Sequence, residues 1–398
     1  MDSYIIIGGG LAGLTAANAL AQPGRKVTVL EQSAHLGGRA ITQQDAGFSL
    51  NLGPHALFNG GPAMRTFQQW KIPFQGRAPA NNNGHLIYQG RRFPAISNVT
   101  SLLKSPLFSV REKIEAANLM RLFAAGRAPR QTMRSWIDDH SRSPKVRALA
   151  EAITRVTTYT PDLDHLSASA ALPQIAMAIA KGVAYLDHGW QTLVDGLAAR
   201  ARSLGVEIRC GEPIKSLDDL NADGIILAVP PASVEKLTGI QFPNLRPVRA
   251  ACLDLGLDSL PDNAASFGLG IDRPLYFSVH SKSAKLAPEG RALILLAKYL
   301  TGDSDPAADR AELENFADLL APGWRDRVRM TRFLPNLTVS HAMPTLESRP
   351  DVAALNRPRV AIAGDWVGPE NMLTDAAVQS ALCAARMVQE SKSAQHAA

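Results

Sequence analysis

The first forty residues limit the fold of this chain more than any other segment. A run of apolar residues from Tyr4 to Ile7 leads directly into the stretch Gly8-Gly9-Gly10-Leu11-Ala12-Gly13, and small helix-forming residues follow. A second apolar run ends at Glu31. Two short apolar runs separated by a tight turn and a helical segment predict a strand, a helix and a second strand, which together form a βαβ unit.

Each glycine of this turn has a chemical reason. Gly8 permits a sharp turn, Gly10 lets the backbone approach a pyrophosphate, and Gly13 lets the helix pack close to the strand. The first helical turn offers free N–H groups to the phosphates. Glu31 lies 18 residues after Gly13, where a carboxylate accepts hydrogen bonds from an adenosine ribose. Because Gln32 and no arginine follows, the site is predicted to disfavour NADP.

A second glycine motif makes the prediction more specific. Gly37-Gly38-Arg39 follows Glu31 by six residues. With this motif the segment resembles the superfamily of flavin-dependent amine oxidases, phytoene desaturases and protoporphyrinogen oxidases. The resemblance implies FAD as a non-covalently bound cofactor, with the backbone and the arginine of this motif along its pyrophosphate and ribitol.

Three later segments extend the resemblance. Gly53-Pro54-His55 matches the stretch beside the flavin ring, Ile214 matches the residue whose backbone contacts adenine, and Gly364-Asp365 precedes a predicted helix at 374–389. The resemblance implies cofactor contacts from Gly8, Gly10, Leu11, Ala12, Gly13, Glu31, Gln32, Gly37, Gly38, Arg39, Gly53, Pro54, His55, Ile214, Gly364, Asp365, Leu373 and Thr374. His55 is the candidate for a catalytic role, and an ordinary solvated loop histidine is the alternative.

The resemblance also implies an α/β fold with a discontinuous domain organisation. A Rossmann-type FAD-binding domain with a doubly wound parallel sheet is expected from residues 1–74, 183–240 and 336–398. An α+β substrate domain is expected from a helical cap at 75–182 and a mixed sheet at 241–335.

Local patterns add detail to the second domain. A hairpin is predicted between His85 and Pro94, and Ser109 with Glu112 forms a capping box that starts a helix. Short alternating segments and one helical segment follow, with strands at 251–257, 275–280 and 292–299 and a helix at 306–320.

Composition fits a globular protein and excludes several classes. With 46% apolar and 20% charged residues in a chain of 398, disorder is not expected. No apolar run reaches the length of a membrane span. Cys210, Cys252 and Cys383 are isolated, which predicts reduced thiols without a disulfide or a metal site. The apolar start of the chain belongs to the first strand, so a cytoplasmic protein is expected.

The net charge of +6 and the many basic side chains between Arg111 and Arg155 allow two interpretations. A solvated helical face is the simpler one. Contact of the cap with anionic lipid, at the periphery of a membrane, is the other. No nucleic-acid-binding motif accompanies the charge, so nucleic acid is not expected as a partner. The sequence does not indicate an oligomeric state.

The expected activity is removal of a hydride from a C–C or C–N bond of a largely apolar small molecule, with flavin N5 as the acceptor. An amine or amino-acid oxidase that uses O2 is one alternative, and a non-catalytic lipid-binding escort of the same fold is another. Leu373 stands where amine oxidases present an aromatic cage residue. Ala250-Ala251-Cys252 stands where many carry a flavin-facing lysine, for which Lys298 on another strand is the alternative candidate. The substrate class stays open between amines and isoprenoids.

Overall fold

The structure is a computed structural model that describes residues 2–80 and 82–396. Residues 1, 81, 397 and 398, which belong to the predicted FAD-binding and substrate segments, lie outside the described part. Numbered in chain order, the strands are β1 (Asp2–Ile7), β2 (Arg25–Glu31), β3 (Thr42–Asp45), β4 (Phe48–Asn51), β5 (Leu57–Phe58), β6 (Gly76–Arg77), β7 (Gly84–Tyr88), β8 (Arg91–Pro94), β9 (Val183–Leu186), β10 (Glu207–Cys210), β11 (Gly224–Leu227), β12 (Val248–Leu257), β13 (Phe267–Gly270), β14 (Leu275–Val279), β15 (Ala292–Leu300), β16 (Val328–Ser340) and β17 (Val360–Ile362). The helices are α1 (Leu11–Leu20), α2 (Pro62–Gln69), α3 (Val99–Lys104), α4 (Val110–Ala125), α5 (Met133–His140), α6 (Pro144–Thr158), α7 (Ala168–Lys181), α8 (Gln191–Ser203), α9 (Pro231–Thr238), α10 (Pro306–Leu320) and α11 (Leu373–His396).

A parallel sheet with the strand order β10-β2-β1-β11-β17 contains the predicted βαβ unit. All four pairs of neighbouring strands are parallel. Helices α1 and α11 cover one face through small residues such as Ala16 and Ala384, which are fully buried. Helix α9 and the segment around Trp366 cover the other face. Burial on both faces explains why β1 and β11 are continuous apolar runs, and the predicted α/β class is confirmed.

A second, larger sheet has the strand order β16-β12-β15-β14-β13-β7-β8. Its neighbours are antiparallel except for β13 and β7, which are parallel. Because side chains alternate along a strand, Leu253 of β12 packs against Phe316 and Leu320 of α10, while Cys252 lies on the opposite face. Helix α10 has the predicted bounds. Two small sheets, β3-β4 and β5-β9-β6, complete the strands that the structure describes.

The structure departs from the sequence predictions in three of its elements, β7, β16 and α11. The predicted hairpin forms as β7 and β8, but β7 pairs with β13 and so joins the second sheet. Strand β16 continues to Ser340, so the predicted boundary after residue 335 falls inside a strand. Pro335 lies where the register with β12 shifts, on an edge strand, and proline is tolerated at such a bulge. Helix α11 continues to His396, beyond the predicted end at 389.

Helices α3 to α7 form a cap with its own core, in which Phe123, Trp136 and Leu172 are buried. The predicted capping box is confirmed: Ser109 accepts a hydrogen bond from the Glu112 N–H, and Glu112 accepts one from the Ser109 N–H. Helix α4 ends at Gly126, which is left-handed with φ 64°. Within the described ranges, none of the helices combines the length and hydropathy of a membrane span.

Candidate functional site

A cavity of about 700 Å³ lies between the two large sheets. One wall is formed where the strands of the parallel sheet end, at Gly8, Glu31, Ala228 and Gly364. The other wall is the face of the second sheet that carries Cys252. Ligands of open parallel sheets bind outside the carboxyl ends of the strands, so this cavity is the expected place for a nucleotide.

The glycine turn has the shape that a dinucleotide requires. A Cβ on Gly8 would lie 2.4 Å from the Ala228 carbonyl oxygen, and a Cβ on Gly13 would lie 1.8 Å from the Gly8 carbonyl oxygen. At Gly10 the nearest atom would be the Gly37 oxygen at 3.8 Å. The turn is therefore tightly closed on its protein side and open toward the cavity at Gly10, with no side chain capping α1. This open cradle fits the pyrophosphate of FAD.

Glu31 holds the turn as well as lining the cavity. Its carboxylate accepts a hydrogen bond of 2.6 Å from the Gly9 N–H and one of 2.8 Å from the Ser33 N–H. These bonds fix the position of the carboxylate at the end of β2. Each carboxylate oxygen has a second lone pair, so the predicted acceptance of ribose hydroxyls is compatible with this geometry.

Arg39 and Asp365 form an ion pair that joins the two predicted FAD motifs across the cavity. Arg39 Nη2 lies 2.7 Å from Asp365 Oδ1, and Arg39 Nη1 donates to the Val339 carbonyl oxygen at 2.6 Å. His341 adds a hydrogen bond of 3.0 Å from its backbone N–H to Asp365 Oδ2. Burial alone would raise the pKa of Asp365, but the charge of Arg39 and the hydrogen bonds from Arg39 and His341 outweigh it and lower the pKa. Asp365 is therefore ionised at neutral pH.

His55 lies in the cavity wall as a neutral side chain. Its Nδ1 is 3.0 Å from the Gly53 carbonyl oxygen, and its ring meets the Trp190 ring edge-on with centroids 4.8 Å apart. Burial is the main cause that lowers the pKa of His55, and the charge of Arg39 adds to it against the opposing Gly53 hydrogen bond. Because Nδ1 faces a carbonyl oxygen, it carries the proton, and Nε2 is left as an acceptor.

The second sheet contributes four uncharged side chains to the cavity wall: Ala250, Cys252, Ala297 and Leu337. Burial raises the pKa of the Cys252 thiol, so the thiol is protonated.

Lys298, the alternative candidate for a flavin-facing lysine, points away from the cavity, so that prediction is wrong. Its Nζ lies 2.6 Å from Asp309 and 2.7 Å from Glu312 of α10. Strand alternation gives Ala297 to the cavity and Lys298 to the opposite face.

The structure brings the predicted cofactor residues together. All of them line the cavity except Gly13, which lies beneath the turn against Gly8. Contact of these residues with the cofactor stays a prediction. Sequence reasoning did not identify several further lining residues, namely Tyr159, Trp190, Ala228, Val229, Ala297, Leu337, Val339 and His341. Ala228 and Val229 directly follow β11, and their position at the end of a parallel strand is the signal that would have found them.

Asp375, in the first turn of α11, gives the stability of the fold a predicted pH dependence. It accepts a hydrogen bond of 2.9 Å from the Ala63 N–H, and burial raises its pKa to about 6 against the opposing effects of that bond and of Arg65. The fold thus favours the protonated form. We expect the free energy of unfolding to fall by about 2–3 kcal/mol as the pH rises from about 4 to about 6, and to level off above that.

The measurement is denaturant unfolding of the wild type and of Asp375→Asn between pH 4 and pH 7. The amide oxygen of asparagine keeps the acceptor for Ala63, so the difference between the two proteins isolates the titration. The variant should gain stability relative to the wild type up to about pH 6. A difference that is the same at every pH would contradict the assignment.

Comparisons with known proteins agree with this geometry. The family model of flavin containing amine oxidoreductases matches residues 11–238. An L-amino-acid oxidase of Crotalus adamanteus is 32% identical over 118 residues, which are 29% of this chain and 23% of the oxidase. A 4,4'-diaponeurosporene oxygenase of Staphylococcus aureus is 45% identical over 53 residues, which are 13% of this chain and 11% of the oxygenase. These alignments thus span about a quarter or less of the curated relatives.

The fold has solved counterparts. An oxidoreductase from Methanosarcina mazei superposes with a TM-score of 0.78 at 16% identity, covering 96% of this chain and 99% of that chain. The likeness supports the shared architecture. The matched family model covers more than half of the 398 residues. Its description as a family of flavin containing oxidoreductases supports the predicted cofactor, FAD, and the predicted class, an oxidoreductase. The chain belongs to the family of flavin containing amine oxidoreductases, as its FAD motifs predicted.

Proposed function

We propose that this protein oxidises a C–C or C–N single bond of an uncharged, largely apolar small molecule to a double bond, with a hydride leaving one carbon and a proton leaving the neighbouring atom. Bound FAD would supply the hydride acceptor, its N5 atom. The observation that carries the proposal is the uncharged wall of the second sheet, formed by Ala250, Cys252, Ala297 and Leu337. A charged substrate group placed against this wall would lose its hydration without gaining a partner.

Different residues of the chain would bind the cofactor and contact the substrate. The turn at Gly10, the Glu31 carboxylate and the pair of Arg39 with Asp365 would hold the cofactor. The neutral His55 would offer Nε2 as an acceptor without adding a charge. We also propose that the domain division expected from the sequence applies, with the boundary near residue 335 moved to the end of β16.

The charge of the substrate distinguishes an amino-acid oxidase from an enzyme that acts on a neutral molecule. The amine alternative has support from the name of the L-amino-acid oxidase relative, and the oxygenase relative supports a different substrate class. An amino acid brings a carboxylate and an ammonium, for which the sheet wall has no partner. We therefore favour a neutral substrate over an amino acid.

The test is anaerobic bleaching of the visible band of the oxidised flavin. One pool contains primary and secondary amines with amino acids, and the other contains neutral isoprenoids. We expect bleaching by the second pool. Bleaching by the amine pool alone would overturn the proposed substrate class and leave the oxidoreductase class standing.

We further propose that the cap touches an anionic membrane surface. Four large apolar side chains of α3 and α4 are exposed: Val99 by 67%, Leu103 by 62%, Val110 by 74% and Ile114 by 61%. Lys113 Nζ donates to the Leu103 carbonyl oxygen at 2.7 Å, which joins the two helices into one apolar patch. Exposed basic residues Lys104 and Arg111 flank it. An apolar surface flanked by bases is typical of contact with anionic lipid.

The double variant Val110→Ser and Ile114→Ser should lose most of its binding to vesicles that contain phosphatidylserine. Removing two inserted apolar side chains costs about 2–3 kcal/mol of membrane affinity, whereas the free energy of unfolding should change by less than about 1 kcal/mol because both residues are exposed. The measurement is co-sedimentation with vesicles of phosphatidylcholine, with and without phosphatidylserine.

Ile179→Ser is the matched control, because Ile179 is 51% exposed on α7, outside the patch. It should sediment like the wild type. If the double variant also sediments like the wild type, the patch is not a membrane contact. If binding is independent of phosphatidylserine, the proposed contact with an anionic surface is overturned.

A further inference from the structure

Tyr159 has a backbone conformation that a tyrosine rarely adopts. It follows the last residue of α6 as the C-cap, with φ 61° and ψ 4°, and its N–H donates to the Arg155 carbonyl oxygen at 2.7 Å. This left-handed conformation is usually given to glycine or asparagine at a helix end. A bulky side chain is unfavourable there, and such residues cluster at functional sites.

The side chain of Tyr159 reaches the cavity beside the uncharged wall. Its ring meets the Tyr299 ring edge-on, with centroids 6.2 Å apart and planes at 80°. It packs with the cluster that contains Ala250, Cys252 and Ala297. Tyr159 is thus the tyrosine that projects from the cap to the end of the cavity lined by the second sheet.

The hydroxyl of Tyr159 makes no hydrogen bond to any residue within 2–80 or 82–396. Two other tyrosines nearby do have partners: Tyr185 and Tyr276 share a hydrogen bond of 2.8 Å, and Tyr276 is 3.1 Å from His280 Nε2. Tyrosine hydroxyls in a protein interior usually find a partner, and the partly buried Tyr159 faces the cavity without one in the described part of the chain. Burial raises the pKa of Tyr159, so the hydroxyl keeps its proton and remains a donor.

We propose that the Tyr159 hydroxyl donates a hydrogen bond to a carbonyl or hydroxyl oxygen of the substrate. This inference rests on the proposed function and narrows its substrate class to apolar molecules that carry an uncharged oxygen group. A protonated amine has donors and no acceptor, so it would leave the Tyr159 proton unpaired.

The experiment uses three molecules with one carbon skeleton: indane, 1-indanone and 1-aminoindane. Their affinities for the FAD-loaded wild type and for Tyr159→Phe are measured by calorimetry, without turnover. The wild type should bind 1-indanone about five- to tenfold more tightly than indane, which is the effect of one hydrogen bond. Tyr159→Phe should lose this preference and keep its affinity for indane. 1-Aminoindane should bind most weakly to both proteins.

Tyr88→Phe is the matched control, because Tyr88 of β7 does not line the cavity, and it should keep the wild-type preference. Equal affinities of the wild type for indanone and indane would overturn the inference without any variant. So would a Tyr159→Phe variant that keeps the preference or that weakens both ligands equally, which would indicate a packing role. Tightest binding of 1-aminoindane would overturn the proposed neutral substrate as well, and a wild type that takes up no FAD would overturn the proposed function itself.

Discussion

Gly10→Val is expected to abolish FAD retention while the protein stays folded. Gly10 has φ −80°, which a valine adopts without strain, and a Cβ there would meet no protein atom closer than 3.8 Å. The valine methyl groups would instead project into the space that the pyrophosphate needs. We expect FAD affinity to fall by ~100-fold or more, from overpacking of the cradle, and the free energy of unfolding to change by about 1 kcal/mol or less.

Gly13→Val is the contrasting control for this prediction. Its Cβ would lie 1.8 Å from the Gly8 carbonyl oxygen, so the helix would have to move away from β1 and the whole sheet should lose stability, by about 1–3 kcal/mol or more. The measurements are flavin absorbance per chain after purification and the midpoint of denaturant unfolding. Unchanged FAD stoichiometry in Gly10→Val would show that the cradle has been assigned to the wrong turn.

Asp365→Asn is expected to weaken both the fold and the cofactor site. The Asp365 side chain is 4% exposed and paired with Arg39, which is 36% exposed. Removing one partner of a buried ion pair costs about 3–5 kcal/mol, and partial solvation of Arg39 reduces the expected loss to roughly 2–3 kcal/mol. Because the pKa of Asp365 is lowered, its contribution is present above about pH 4 and is lost as the pH falls further.

A double-variant cycle separates the ion pair from other effects of the substitution. Arg39→Gln and the combination with Asp365→Asn complete the cycle, with denaturant unfolding and FAD affinity as the readouts. The double variant should lose less unfolding free energy and less FAD affinity than the sum of the losses in the two single variants. Additive losses would mean that the two side chains act independently, against the geometry of a 2.7 Å pair.

Local features of the sequence were sufficient to predict the wall of the cavity that the parallel sheet forms. The glycine turn, Glu31 and the Gly364-Asp365 strand end each depend on a few adjacent residues, whose requirements for a turn or a strand end are local. The same is true of the capping box and of α10. These features therefore appear in the structure close to where they were expected.

Other features depend on pairing between distant segments, which sequence patterns do not determine. Lys298 was assigned to the wrong face because the face of β15 is fixed by its partners β12 and β14. The predicted boundary after residue 335 falls inside β16, where a bulge accommodates Pro335 within the strand. His341 lies in a loop without a motif and meets Asp365 only through the fold.

The most direct test of FAD binding is titration of the flavin-free protein with FAD, followed by its absorbance and by calorimetry. An FAD site in the cavity between the two sheets predicts uptake of one FAD per chain by the wild type and none by Gly10→Val. A wild-type protein that remains colourless after addition of FAD would contradict this site and would favour the non-catalytic lipid-binding alternative.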